Sequence, residues 1–562
     1  MKKLKNFPAI SISVTGTPPT PTGTWRRRTP VHQERLSPCT DLCPCAGNIP
    51  TWMDLIAKGN LDAAWRELTD ENPFPLITGR VCYRFCEQEC NRKGFDDRVS
   101  VGAVERFLGE YAIKHHLHPS AQLNQLMTPV TVAVIGGGPA GLSAAHFLAR
   151  AGCDVTIFDE NEELGGLLRY GIPAYRLPKK LLEQEISSMV IELGGKAQMR
   201  ARVDRDALLR ACEKFDHVVV ALGAHKTRAL FHVREEENLL NSGLDFLSMV
   251  SSGRVDGLKV EHAEHVCVIG GGNTAIDVAR SVLRLGQKSG TKVTIMYRRS
   301  EEEMPAHKDE IAVAKREGVR FVFLTSPRHI IRREDGKREL RCVRMILGES
   351  DESGRRRVEE ADGVEFTITC DLAFSAIGES SDVAAIISET ALPHSEEDVY
   401  LEKVVCAGDA LYGPRSVSEA IASGKEAAKA IIRRVTGVHH DVASKDVVRE
   451  QEIKFHYLAK LRANPNIFLE HQLTQKGFRD FAETTRTMTR EMAEKEAARC
   501  INCGTCIACN RCFDFCPDVS IIKMADNSYT INTDMCKGCG LCADVCERGV
   551  IVFDDMEEVN DD

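Results

Sequence analysis

Ten cysteines crowd into the stretch from Cys500 to Cys546 of a 562-residue chain, and their spacing is the tightest constraint the sequence imposes. Cys506-x2-Cys509-x2-Cys512-x3-Cys516-Pro517 is repeated as Cys536-x2-Cys539-x2-Cys542-x3-Cys546. Thiols spaced by three in a tight loop converge on one centre. A cubane [4Fe–4S] cluster needs four converging thiolates, and three from one loop with one from the other run supply them. CxxC pairs also hold zinc, although duplication of the whole run argues against it. Six more cysteines lie between Cys39 and Cys90, and the last six of the 22 are scattered singly through the middle. Those in apolar runs, such as Val266-Cys267-Val268-Ile269, read as small core residues.

Composition narrows the class. With 43% hydrophobic and 28% charged residues, the chain can bury several cores, and its length suits about three to five domains. A net charge of −9 excludes a broad basic face for nucleic acid. No run approaches the ~18 uncharged apolar residues of a membrane span. The start, Met1-Lys2-Lys3-Leu4-Lys5-Asn6-Phe7, lacks the apolar core of a signal peptide. These readings together predict a cytoplasmic protein, where clustered cysteines hold metal rather than disulfides.

Two Gly-rich turns mark dinucleotide sites. In Thr131-Val132-Ala133-Val134-Ile135-Gly136-Gly137-Gly138-Pro139-Ala140-Gly141 a strand enters GxGxxG and then a helix. The next strand, Val155 to Phe158, ends at Asp159, an acceptor for a ribose hydroxyl. Gly136 permits the turn, Gly138 admits a pyrophosphate to the backbone, and Gly141 lets helix and strand pack. The second turn runs Val266 to Asp277 through Gly270, Gly272, Asn273, Thr274 and Ala275. Its second strand ends in Tyr297-Arg298-Arg299 instead of an acid. Two guanidiniums clamp a ribose 2′-phosphate, which favours NADP(H) over NAD(H); a solvated charge pair at a strand end is the alternative. Two such sites imply two dinucleotides, a flavin and a nicotinamide. Val404-Val405-Cys406-Ala407-Gly408-Asp409-Ala410 ends a strand in Gly408-Asp409, where an Asp suits the flavin's ribityl or phosphate region. Apolar strands ending at Gly223 and Gly378 suit crossings between two nested domains.

These motifs carry a resemblance. Gly79-Arg80-Val81-Cys82, Gly165-Gly166-Leu167-Leu168-Arg169-Tyr170-Gly171-Ile172-Pro173, Gly270 to Arg280, Tyr297 to Pro305 and Ala407-Gly408-Asp409 are similar to the small subunit of glutamate synthase. They also resemble the N-terminal part of dihydropyrimidine dehydrogenase and the NADPH-binding subunit of electron-bifurcating NADH-dependent ferredoxin:NADP oxidoreductase. The resemblance spans residues from about 39 to 434. It implies FAD in the first site, with Pro139, Ala140, Gly166 and Leu167 among its contacts, and NADP(H) in the second. The C-terminal runs resemble the bacterial two-cluster ferredoxin. That likeness assigns Cys506, Cys509, Cys512 and Cys546 to one cluster, and Cys536, Cys539, Cys542 and Cys516 to the other.

The same resemblance divides the N-terminal cysteines. Cys43, Cys82, Cys86 and Glu105 match one cluster; Glu105 as an exposed helix carboxylate is the alternative. Cys39 and Cys90 match half of a second cluster whose usual upstream CxxC is absent, and Cys45 is extra. Arg499-Cys500-Ile501-Asn502-Cys503-Gly504 resembles that missing pair. The connector before it either folds back, or crosses to a second protomer in a homodimer, to lend Cys500 and Cys503; an unliganded CxxC is the alternative. One or two [4Fe–4S] clusters are thus expected near the N-terminus.

The expected architecture is α/β: nested FAD and NAD(P) Rossmann-like domains, an N-terminal helical Fe–S domain and a C-terminal ferredoxin-like α+β domain. The boundaries read 1–125 for the Fe–S domain, 126–245 and 369–438 for the FAD domain, 246–368 for NAD(P)H, 439–498 for a helical connector and 499–562 for the ferredoxin. Hydride from NADPH would pass to flavin and leave as single electrons through clusters. Such transfer needs stacking and dryness, so no catalytic side chain is nominated. Residues 499–562 hold five Lys/Arg against twelve Asp/Glu, suited to a basic redox partner or a larger enzyme complex. A glutamate synthase small subunit proper and a non-catalytic scaffold are the competing readings.

Overall fold

The computed structural model describes residues 21–119, 130–228, 234–235, 239–255, 259–350, 356–381, 383, 403–438, 446–457 and 480–555. Apolar β-branched runs at 131–135, 154–158 and 217–220 form the centre of a five-stranded parallel sheet. Its order is Val404–Cys406, His217–Val220, Thr131–Ile135, Asp154–Phe158, Lys196–Gln198. Parallel strands buried on both faces read as continuous hydrophobic runs, as these do. A second parallel sheet runs Arg320–Val322, Lys292–Met296, His265–Ile269, Leu372–Ser375, Leu240–Ser242.

The strand Leu372–Ser375 therefore belongs to the second sheet, between His265–Ile269 and Leu240–Ser242. The expected boundary at 369 falls too early, because a Rossmann sheet needs this returning strand. The chain crosses between the nested domains where Lys226–Thr227 pairs antiparallel with Glu379–Ser380. A sheet of long antiparallel strands, Thr325–Arg332, Arg338–Ser350 and Arg356–Cys370, leans on the second domain.

The longer helices of the N-terminal domain are Ile49–Ala57, Leu61–Thr69, Pro75–Val81 and Val101–Lys114; the short helices Pro38–Asp41 and Phe85–Gln88 carry Cys39 and Cys86. Pro75–Val81 and Val101–Lys114 touch backbone to backbone. A methyl on Gly79 would lie 2.5 Å from the Arg106 Cα, and one on Gly109 would lie 2.5 Å from the Leu76 nitrogen. Their core is continuous with that of the first Rossmann domain and includes Met488, Ala493 and Ala497 of the supposed connector. The 439–498 segment is thus no free linker. Its helix Arg490–Ala497 packs on Ile49–Ala57 and Val101–Lys114. Glu483 pairs with Arg80 at 2.8 Å and Arg106 at 2.9 Å, and Phe455 stacks on Phe95. Val447 bridges to Leu36, ahead of the first cysteine. Residues 458–479 lie outside the described residues.

The amino-terminal arm also departs from expectation. Arg28–His32 pairs antiparallel with Ile551–Asp555, so the arm is a strand of the C-terminal module and not part of the helical domain. The Ile521–Lys523 and Tyr529–Ile531 hairpin completes that module. Among the described residues no helix is long and apolar enough to cross a membrane.

One close contact fixes the first Rossmann domain. A methyl on Gly424 in helix Val417–Thr436 would collide with the Ala140 carbonyl of helix Pro139–Arg150. Overpacking of this kind costs about 1–3 kcal/mol. Gly424→Ala is expected to lower the apparent melting temperature by a few degrees; an unchanged thermal scan would show that the helices part freely.

Candidate functional site

Each glycine of the first turn has its own task. Gly136 takes φ +104°, where a side chain would be strained and would meet the Ala221 carbonyl. Gly141 packs against the Gly136 carbonyl. At Gly138, the residue ahead of helix Pro139–Arg150, the position of a methyl is open but for Gly166 Cα at 3.9 Å. No side chain caps this helix, so its first amides stay available to an anion. The open volume belongs to a cavity of about 250 Å³ bordered by Pro139, Ala140, Asp159, Gly166, Leu167 and Asp409. Asp159 lines it but is also engaged within the fold: it accepts from the Gly137 amide at 2.7 Å and the Asn161 amide at 2.8 Å. Asp409 follows Gly408, held at φ +69°, and burial pushes its carboxyl up to about 6. A cleft with an uncapped helix start and a methyl-free cradle fits a dinucleotide such as FAD.

The second cradle repeats the logic. A methyl on Gly270 would meet the Ala376 carbonyl and one on Gly271 the Tyr297 ring, whereas nothing lies within 4 Å of a methyl on Gly272. Helix Asn273–Leu285 starts there without a side-chain cap. Thr274 is half-buried beside the turn and Ala275 is buried. Asn273 donates to the Tyr83 hydroxyl at 2.8 Å and accepts from the His307 amide at 3.0 Å. The two arginines part company. Arg298 is exposed at the strand end, while Arg299 is buried and donates to the Arg356 carbonyl at 2.8 Å. Arg298 thus holds its guanidinium in solvent at the strand end, and Arg299 anchors the strand that begins at Arg356. Tyr83 escaped the sequence reading; its only signal was adjacency to Cys82.

In the C-terminal module the two runs exchange their last cysteines. Cys506, Cys509, Cys512 and Cys546 line one cavity, and Cys516, Cys536, Cys539 and Cys542 line another. Burial pushes the Cys512 thiol up to about 12, with the charges of Cys546, Cys506 and Cys509 acting the same way. Cys542 rises likewise, beside Cys536, Cys539 and Cys516. Among the described residues no three His, Cys, Asp or Glu side chains gather around a single metal ion. Here the thiols surround open volumes, as the corners of a cubane require. Cys509 and Cys539 are exposed.

Near the N-terminus, Cys43, Cys82, Cys86 and Glu105 come together. Glu105 is half-buried, not an exposed helix carboxylate. It accepts from Thr78 Oγ1 at 2.6 Å and Asn72 Nδ2 at 2.7 Å. Burial pushes its carboxyl up to about 8 against those hydrogen bonds, and the Cys43 charge adds to the rise. Burial pushes the Cys82 thiol up to about 11, and the Glu105 charge adds to the rise. Cys45, only 1% exposed, reaches Cys43 and the Ser418 carbonyl. Cys82 Sγ lies 3.6 Å from Ser418 Oγ, at the start of helix Val417–Thr436, whose Val417 and Ala420 border the flavin-sized cavity. Ser418 was not foreseen.

Cys500 and Cys503 also come to the N-terminal domain within one chain. Burial raises the Cys39 thiol, and the charges of Cys500, Cys503 and Cys90 push it the same way. Asn91 Nδ2 lies 3.6 Å from Cys503 Sγ, and Arg92 donates to the Arg499 carbonyl.

With this geometry in hand, similarity places the chain. Residues 130–424 match the pyridine nucleotide-disulphide oxidoreductase family, residues 33–117 the dihydropyrimidine dehydrogenase domain II, 4Fe-4S cluster, and residues 529–552 a 4Fe-4S binding domain. The chain belongs to the pyridine nucleotide-disulphide oxidoreductase family, in its iron–sulfur branch. It is 32% identical to NADPH-Fe(3+) oxidoreductase subunit beta of Geobacter sulfurreducens, over 83% of this chain and 75% of that one. It is 34% identical to NADP(+)-dependent formate dehydrogenase subunit beta of Moorella thermoacetica, over 70% of this chain and 59% of that one. Identity to the glutamate synthase [NADPH] small chain of Azospirillum brasilense is 33%, over 70% and 85%. The expected family, fold class and oxidoreductase character therefore hold.

The fourth position beside Cys43, Cys82 and Cys86 is testable. Glu105 faces two of those thiols, so Glu105→Ala is expected to lose about four irons per chain, while Cys45→Ser keeps them. Iron and sulfide assays on both variants decide; loss in Cys45→Ser alone would reverse the assignment.

Proposed function

We propose that this chain is the NADPH-oxidising, electron-distributing subunit of a larger redox complex. The observation that carries this reading is one of placement: an exposed arginine at the second cradle, a flavin-sized cavity at the first, and thiol groups leading from that cavity to the surface. The residues have separable roles. The open backbone at Gly138 and Gly272 receives pyrophosphates at helix starts, and Arg298 selects the 2′-phosphate. Helix Val417–Thr436 joins the flavin cavity to Cys82 through Ser418. FAD in the first cleft would accept the electron pair of one hydride and pass it on as two single electrons, releasing the proton. Three [4Fe–4S] clusters would be held by Cys43, Cys82, Cys86 and Glu105, by Cys506, Cys509, Cys512 and Cys546, and by Cys516, Cys536, Cys539 and Cys542. The acidic module that ends in exposed Cys509 and Cys539 would steer toward a basic partner face. The redox names of the relatives support an NADPH-linked role, and the ferredoxin-like module favours a partner redox enzyme over a glutamate synthase large subunit.

Anaerobically isolated protein is expected to be coloured, to lose its flavin absorbance on adding NADPH, and to reduce a viologen dye. Colourless protein, or absorbance that NADPH leaves untouched, would overturn the reading. A hydrogen bond to a charged group contributes roughly 1.5–3 kcal/mol, which is about 10- to 100-fold in affinity. Arg298→Ala is accordingly expected to raise the KM for NADPH by about that factor and to leave NADH-driven turnover unchanged. Equal losses with both nucleotides would remove Arg298 from cofactor selection.

A further inference from the structure

The turn Cys500-Ile501-Asn502-Cys503 is folded like the cluster loops beside it. In each, the residue two places after the first cysteine takes a positive φ: Asn502 at +57°, Ala508 at +55° and Gly538 at +70°. The Asn502 amide reaches Cys500 Sγ at 3.4 Å, as the Gly538 amide reaches Cys536 Sγ at 3.4 Å. The loop after Cys82 has the same construction, with Arg84 at φ +57° and its amide 3.3 Å from Cys82 Sγ. A left-handed residue costs of order 1 kcal/mol when it is not glycine. At Asn502 that conformation turns an amide toward a thiolate, which is how a protein lends positive potential to a cluster sulfur.

This turn is fixed in place from every side. The Asn502 side chain donates to the Pro50 carbonyl at 2.7 Å, and the Gly504 carbonyl accepts from the Arg35 amide at 2.9 Å. Arg499, buried, pairs with Glu496 at 2.6 Å and Asp96 at 3.2 Å. These contacts bring Cys500 and Cys503 against Cys39 and Cys90, four thiols that no disulfide uses. Ser37 Oγ lies 3.1 Å from Cys39 Sγ and Asn91 Nδ2 lies 3.6 Å from Cys503 Sγ.

From this we infer that Cys39, Cys90, Cys500 and Cys503 hold a further [4Fe–4S] cluster, assembled from both ends of the chain, that joins the ferredoxin-like module electrically to the flavoprotein. The inference deepens the reading proposed above and rests on it. The position suits a relay. Cys503 precedes Cys506 by three residues, a span of at most about 11 Å of chain, so this group abuts the first ferredoxin-type quartet. On its other side the Cys39 charge acts on Cys86 of the quartet beside the flavin cavity. Four thiol groups thus form an unbroken series from that cavity to exposed Cys509 and Cys539.

Iron and acid-labile sulfide per FAD in the unmodified, anaerobically isolated protein give the first test. Four cubanes contribute about sixteen irons and three contribute about twelve; a count of twelve, or one zinc per chain with twelve irons, overturns the inference. The second test uses Cys500→Ser with Cys503→Ser, and separately Cys39→Ser. Each variant is expected to lose about four irons and one low-temperature paramagnetic signal of the reduced protein, while NADPH still bleaches the flavin. Iron at the unmodified level in both variants overturns it. Failure of NADPH to bleach the unmodified protein would instead sink the proposed function, so the two failures are distinguishable.

Discussion

Thiolates crowded into a dry interior repel one another and lose their water, and a fold that gathers them must supply positive potential in return. Much of this structure serves that requirement. Tight turns at Asn502, Ala508 and Gly538 aim amides at sulfur, and half-buried Glu105 is held by Thr78 and Asn72. The helical N-terminal domain is shaped by the same demand. Its glycine-mediated helix crossing at Gly79 and Gly109 brings the Glu105 helix against the segment that ends in Cys82. Without that close approach the carboxylate and the thiol would stand a side-chain layer apart.

The cradles follow a second rule, the need for naked backbone at a helix start. At Gly138 and Gly272 the missing methyl leaves room, whereas at Gly136, Gly141 and Gly270 it prevents a collision with a carbonyl. Glycine therefore serves two opposite ends within one motif. The cradle at Asn273 is also joined to the iron–sulfur domain through Tyr83, whose neighbour is Cys82. The second cradle and the N-terminal thiols are thus tied together by a hydrogen bond.

The features legible in the sequence were those with short-range signatures. Cysteine spacing, Gly-rich turns and strands ending in Asp159 or Arg298 are written within about thirty residues, and the two Rossmann sheets follow from them; the exchanged fourth cysteines came from the ferredoxin resemblance. What escaped was long-range partnership. Nothing local in Arg28–His32 announces that it pairs with Ile551–Asp555, and nothing in Leu372–Ser375 says which of two sheets it enters. Arg298 and Arg299 look equivalent in sequence, yet strand geometry exposes one and buries the other. The pairing of Cys500 and Cys503 with Cys39 could be posed as a question only because a resemblance exposed a gap. Contacts across 461 residues leave no periodicity to read.

The pairing of the amino-terminal strand with the carboxy-terminal one carries a consequence for biosynthesis. When Arg28–His32 leaves the ribosome, its partner has yet to be translated. At about 5–20 residues per second the wait is roughly half a minute to nearly two minutes. During that interval Cys39 and its neighbours are free thiols on an unfinished nascent polypeptide. Closure of the molecule, and completion of the group that joins Cys39 and Cys90 to Cys500 and Cys503, then becomes a late event that a prematurely terminated message could not complete.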